Sequence, residues 1–199
     1  TTEGAKPTSH YIPRFRNVYR QETDFLRGYA AGFGAQPNRE TNKEGFGAEL
    51  SNQLLSTKET GVWNVNSHMM GETIPKESNL VSLDPEKTDA WGIPLLNIDV
   101  DYDDNDEKMI QDFYEQFSEM YEKSGFVNIK TNDNGRRPGN DIHEMGGVRM
   151  GKNPKTSLLN AWNQMHECKN VFVTDGACMT STSTQNPSLT FMAITARAA

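Results

Sequence analysis

The sequence predicts an α+β fold with an antiparallel sheet and helices. Two observations carry this. A pair of apolar, partly alternating runs, Asn79–Leu83 and Ile93–Tyr102, is joined by the short polar turn Asp84–Trp91, which reads as a hairpin. Directly after it, residues 105–124 place apolar side chains at helical spacing, and a second helical stretch, Pro187–Ala199, ends the chain.

The elements follow in order. Residues 1–60 are rich in Gly, Asn, Thr and charge, and read as mostly loop with short strands, the first over Tyr11–Arg16. Their aromatics, Tyr11, Phe15, Tyr19, Phe25, Tyr29 and Phe33, are too many for a disordered segment, so they are expected to pack, and some are suited to floor a sugar pocket. Residues 62–74 alternate enough for a strand. Asp84-Pro85 is expected to stop the Asn79–Leu83 strand. On the next strand Leu96, Ile98, Val100 and Tyr102 share a face. Asp103–Asp106 supplies an N-cap and an acidic first turn for the helix. Its stripe is Met109, Ile110, Phe113, Phe117, Met120 and Tyr121, and Gly125 is the expected glycine beyond its end. Phe126–Lys130 reads as a strand, residues 132–140 as a loop, and Val171–Thr174 as a short buried strand ending at Asp175-Gly176. Asn186 is expected to cap the last helix, with Pro187 in its first position.

Bulk composition excludes several classes. Net charge is −7, so phosphates would be repelled, and no nucleic-acid partner is expected. No apolar run approaches the roughly 20 residues of a membrane span. The two cysteines, Cys168 and Cys178, are too few for a disulfide framework and have no CxxC spacing; they are expected to serve as small apolar residues. Thr1–Gly4 has neither the charged nor the apolar region of a signal peptide. The abrupt start and the helix running to the last residue suggest a piece of a longer chain. The compartment, cytoplasm or periplasm, is left open.

Several motifs fail on their own terms. Asp99, Asp101 and Asp103 begin like a calcium loop, but Asp104 stands where glycine is needed and Ile110 where glutamate is needed. His143-Glu144 lacks the second histidine of a zinc-protease helix, because Gly147 occupies that place. No metal site is expected. Gly32-Phe33-Gly34 and Gly45-Phe46-Gly47 lack the third glycine of a dinucleotide fingerprint and read as loop glycines. His10, His68 and His166 read as structural, with His166 in an exposed turn. His143 lies between a Gly/Pro/Asn loop and Gly146-Gly147, glycines that let a ligand approach closely. A lone histidine is more often structural, and Asn186 has the capping role to explain it.

Three pieces taken together change this balance: His143-Glu-Met-Gly-Gly-Val-Arg-Met-Gly151, Asn170-Val-Phe-Val-Thr-Asp-Gly-Ala177 and Asn186-Pro-Ser-Leu-Thr-Phe-Met-Ala193. In this order they resemble the C-terminal region of the glucose–methanol–choline (GMC) oxidoreductases, flavoproteins that oxidise alcohols and sugars. The clear match covers about residues 79–199. The segment with Tyr11-Ile-Pro-Arg-Phe-Arg16 resembles, more weakly, the substrate domain of the sugar-oxidising branch.

The resemblance implies that this is the C-terminal part of a two-domain enzyme whose flavin fingerprint lies in an N-terminal FAD domain outside this chain. Residues 1–154 would be substrate-binding domain, built on an antiparallel sheet backed by helices. Residues 155–199 would return to supply the last strand and helix of a Rossmann-type FAD domain. The family's active-site pair carries over onto His143 and Asn186. Imidazole takes a proton from an alcohol near neutral pH, and the amide of Asn186 would hold the same oxygen while hydride passes to flavin N5. Asp175 and Gly176 look like the flavin-contacting turn. Asn186, Pro187, Ser188 and Leu189 would offer the helix start to the charge of the reduced flavin. The substrate is expected to be a sugar, a glycoside or another alcohol. The electron acceptor (oxygen, a quinone or a cytochrome) is left open. The other class that fits is a carbohydrate-binding or scaffold domain that keeps the fold without the chemistry.

Overall fold

The computed structural model describes residues 10–37, 46–56, 62–133, 138–139 and 142–199, with backbone alone for Pro37 and residues 53–56. Thr1–Gly4, Gly45 and much of the expected 132–140 loop lie outside these residues. The architecture is α+β with antiparallel sheets. β1 (His10–Phe15), β2 (Tyr29–Pro37) and β3 (Trp63–Gly71) form one sheet in that order. β4 (Leu80–Thr88) and β5 (Pro94–Asp99) form the hairpin. The helices are α1 (Ala48–Ser56), α2 (Asp104–Lys123) and α3 (Ser188–Ala198). No helix among the described residues is long and apolar enough to cross a membrane.

The core lies where α2 crosses the three-stranded sheet. Phe25, Tyr29, Ala31, Met109, Phe113 and Phe117 are buried there, with Ile12, Phe15, Phe33 and Met69 against them. The helical stripe therefore does what its spacing predicts. Phe113 and Phe117 pack one turn apart as tilted rings with centroids 4.4 Å apart, and Tyr29 meets Phe113 edge-on at 5.7 Å. Each such ring contributes about 1.5–3 kcal/mol by leaving water. The start of α2 is fixed by a capping box: Asp103 accepts from the N–H groups of Asn105 and Asp106, and Asp106 accepts from that of Asp103. Gly125 follows the C-cap Ser124 with φ +80°.

A polar knot ties the helix to the sheet. Arg16 donates to both oxygens of Asp112 through Nε, at 3.2 and 3.0 Å, and through Nη2 at 2.9 Å. The Tyr29 hydroxyl donates to Asp112 Oδ2 at 2.7 Å. Burial, and then this bond to a carboxylate, push the Tyr29 phenol far above its ordinary range.

Several expectations are corrected. Gly32 and Gly34 are not loop glycines; they lie in the central strand β2, opposite His68 and Asn66. A Cβ at Gly32 would sit 2.3 Å from the His68 ring, and one at Gly34 would sit 2.8 Å from Asn66 Oδ1. Glycine therefore makes room for side chains crossing from β3. Asp84-Pro85 does not end its strand. β4 continues to Thr88 through an irregularity in register between Leu83 and Thr88, a place where proline's missing donor is tolerated. Residues 126–130 are irregular, not a strand, and Val127 is exposed. Val171–Thr174 is not a buried strand either: it contributes a single bridge, Gln164 to Phe172, and Val171 and Phe172 are exposed. Its apolar content alone does not bury it.

Candidate active site

Residues 142–199 hold little regular structure before α3 and are knitted by backbone hydrogen bonds. The Gly146, Val148 and Met150 N–H groups donate to the carbonyls of Gly176, Ala177 and Cys178 at 3.1, 3.0 and 3.2 Å. The stretch that begins at His143 thus runs alongside the turn at Gly176–Cys178. Gly146 and Gly147 take φ of +101° and +91°, a bend that other residues would resist. Leu159, Asn163 and Cys178 are fully buried beneath. Asn163 Nδ2 donates to the Val173 carbonyl at 2.9 Å, and Arg197 from the last turn of α3 donates to Asn163 Oδ1 at 3.0 Å.

The candidate residues occupy this part of the chain as follows. His143 is half-buried on an irregular segment, and its imidazole has no hydrogen-bond partner among the described residues. Asp175 caps the 3-10 turn Gly176–Cys178 by accepting from the Ala177 N–H at 3.0 Å. Gly176 is a packing node. A Cβ there would lie 2.9 Å from the Glu144 carbonyl, 2.9 Å from Met145 Sδ and 3.4 Å from the Phe191 ring. Three pieces distant in sequence therefore meet: the residues next to His143, the Asp175-Gly176 turn, and α3 one turn from its start.

The capping expectation for Asn186 is corrected. α3 begins at Ser188, Pro187 occupies the N-cap position, and no side chain caps the helix. Asn186 is exposed, and its amide has no hydrogen-bond partner among the described residues. Pro187 is buried, whereas Ser188 and Leu189 are exposed. Proline has no side-chain acceptor to offer the first turn, so the helix start presents its N–H groups uncapped. This donor set fits the anionic edge of a flavin. No hydrogen bond joins His143 to Asn186.

Other histidine and cysteine readings shift too. His166 is half-buried, not exposed, with Nε2 3.3 Å from Ser157 Oγ and 3.2 Å from the Gly151 carbonyl. The carbonyl only accepts, so Nε2 carries the proton and the ring is a structural clamp, not a base for the serine. Both cysteines are free; Cys178 is buried, which raises its thiol pKa, while Cys168 is exposed. What the residue pattern did not reveal is the anchoring of the loop before Asn186, where Thr184 and Gln185 bond to the Pro13 carbonyl. Such pairing across most of the chain leaves no local signal.

Comparison with known proteins gives the family. A family model described as GMC oxidoreductase matches residues 75–195, more than half of the chain. The chain belongs to the GMC oxidoreductases. It is 33% identical over 191 residues to 2-methyl-1,2-propanediol dehydrogenase of Mycolicibacterium austroafricanum, covering 88% of this chain and 33% of that protein. It is 26% identical to the fructose dehydrogenase large subunit of Gluconobacter japonicus, covering 90% of this chain and 34% of the relative. Paromamine 6'-oxidase of Streptomyces fradiae is 30% identical over 63% of this chain and 23% of its own length. The chain thus spans about a third or less of these relatives.

Proposed function

We propose that this chain is the C-terminal part of an FAD-dependent enzyme that oxidises an alcohol group, on a sugar or glycoside. Membership of the GMC oxidoreductases, and relatives named for a diol, fructose and paromamine, support the reaction class. The observation that carries the site is the meeting of Glu144 and Met145, Gly176 and Phe191 beside an uncapped helix start. In this reading residues 1–154 bind substrate, and residues 155–199 complete a Rossmann-type FAD domain supplied by the rest of the protein.

FAD, when bound, supplies the acceptor for the hydride lost by the alcohol carbon. The chain's own residues prepare that loss. The imidazole of His143 takes the hydroxyl proton, which raises electron density on the carbon. The amide of Asn186 donates to the same oxygen and fixes its direction. The open N–H groups of Ser188 and Leu189 supply positive partial charge at no reorganisation cost. Asp175 contributes by capping the turn that carries Gly176.

The test is production of the full-length protein. A yellow product absorbing near about 450 nm, as flavins do, that reduces a dye with a glycoside panel is the expected result. Parallel assays with oxygen, a quinone and a cytochrome identify the acceptor. A colourless, stable protein would favour a non-catalytic carbohydrate-binding or scaffold domain.

A further inference from the structure

The loop that leads into Asn186 is tied to the three-stranded sheet at both of its ends. At its start, Ser181 Oγ donates to Glu72 Oε1. Glu72 is only 7% exposed, follows directly on β3, and donates its own N–H to the Gly28 carbonyl at 3.2 Å. Arg27 Nη1 stands 3.7 Å from the same carboxylate oxygen. At its end, Thr184 is buried and its Oγ1 donates to the Pro13 carbonyl of β1 at 3.0 Å. Gln185 Nε2 donates to that carbonyl at 2.6 Å, and the Tyr11 hydroxyl donates to the Thr184 carbonyl at 3.2 Å. Between the ends, Ser183 takes a left-handed φ of +60° and donates its N–H to Ser181 Oγ at 3.1 Å.

A connector on a protein surface does not need a buried carboxylate to close it. Burying that charge has a cost, and its compensation here is a hydroxyl from the loop and a flanking guanidinium. The strained Ser183 persists only where its surroundings over-determine it. The next residue after this clamp is Asn186, exposed and with its amide unspent.

We infer that Glu72 is a positioning residue: through Ser181 it fixes the 181–185 loop, and with it the Asn186 amide, against the sheet that binds substrate. The inference rests on the proposed role of Asn186. It places the accuracy of the site in a bond between two parts of the chain 109 residues apart.

The experiment uses the full-length, flavin-loaded protein and follows flavin reduction by saturating alcohol in stopped flow, with flavin content and Tm alongside. Ser181→Ala and Glu72→Ala are expected to slow reduction by at least about tenfold, the scale of a small misplacement of a reacting group. Flavin content should stay at the parent level. Glu72→Gln, whose amide oxygen still accepts from Ser181, should recover most of the rate. In an Asn186→Ala background, Ser181→Ala should add no further loss, because nothing is left to position. Should Glu72→Ala fail to fold, Ser181→Ala carries the test. A parent-like rate in Ser181→Ala, beside a slow Asn186→Ala, overturns the inference alone. So does a Ser181→Ala loss that persists undiminished in the Asn186→Ala background. A parent-like rate in Asn186→Ala overturns both the inference and the site reading beneath it.

Discussion

His143 has no hydrogen-bond partner among the described residues, so truncating it strands no buried donor or acceptor there. His143→Ala in the full-length protein should therefore leave Tm nearly unchanged while slowing flavin reduction by about 10²-fold or more, the scale of a general base. Near-parent reduction in a single turnover would remove the imidazole from the chemistry. Asn186→Asp tests the other half of the pair. A carboxylate facing the alcohol oxygen repels its developing negative charge, and a carboxylic acid donates a hydrogen bond instead. Reduction should thus be slower than the parent's at neutral pH, with the shortfall relative to the parent narrowing as pH falls toward the ordinary carboxyl range of about 4. A pH–rate profile identical to the parent's would leave Asn186 outside the chemistry. In the sequence both residues are singled out by the motifs around them. The capping role foreseen for Asn186 was not found, because the helix starts at Ser188 with Pro187 in the cap position. Glu72 was not legible, since a single carboxylate after a strand looks solvated until Ser181 and Arg27 are seen beside it.

At the scale of elements, α2 was legible nearly to the residue, because its stripe, acidic cap and terminal glycine all agree. Phe113→Ala should destabilise the protein by about 3–5 kcal/mol, since the cavity would open between Tyr29 and Phe117. Asp103→Ala should cost about 1 kcal/mol, the usual value of a lost N-cap. Denaturant unfolding of the full-length protein checks both, and equal effects would contradict the burial difference between core ring and cap. The glycine-rich strand β2 was illegible for the opposite reason. Gly32 and Gly34 suggest a loop until His68 and Asn66 are placed across from them, and that pairing is a property of the sheet, not of the segment. The hairpin β4–β5 was recognised, but its bulge at Asp84-Pro85 was read as a stop. Propensity registers proline's missing donor and is blind to a register shift that tolerates it.

At the scale of the whole molecule, two apolar surfaces stand uncovered. α3 has no buried residue, and Leu189 and Met192 are 77% and 68% exposed. The hairpin exposes Leu80, Val81, Leu83, Leu96 and Ile98, and Trp91 and Ile93 at its tip. Exposed apolar side chains gathered on one element in this way suit surfaces that something else covers, and a two-stranded hairpin is marginal by itself. The chain spans about a third of the length of the relatives it matches, and in the proposed reading the rest of the protein supplies that cover. Produced alone, the 199-residue chain should therefore bind an apolar fluorescent dye strongly, elute as more than one species and carry no flavin colour. Inside the full-length protein the same surfaces should be silent to the dye, and charged substitutions such as Leu189→Lys should lower flavin content while leaving the α2 core folded. The outcome that refutes this is a monodisperse, dye-silent chain that retains FAD by itself, because α3 would then need no neighbour to cover it.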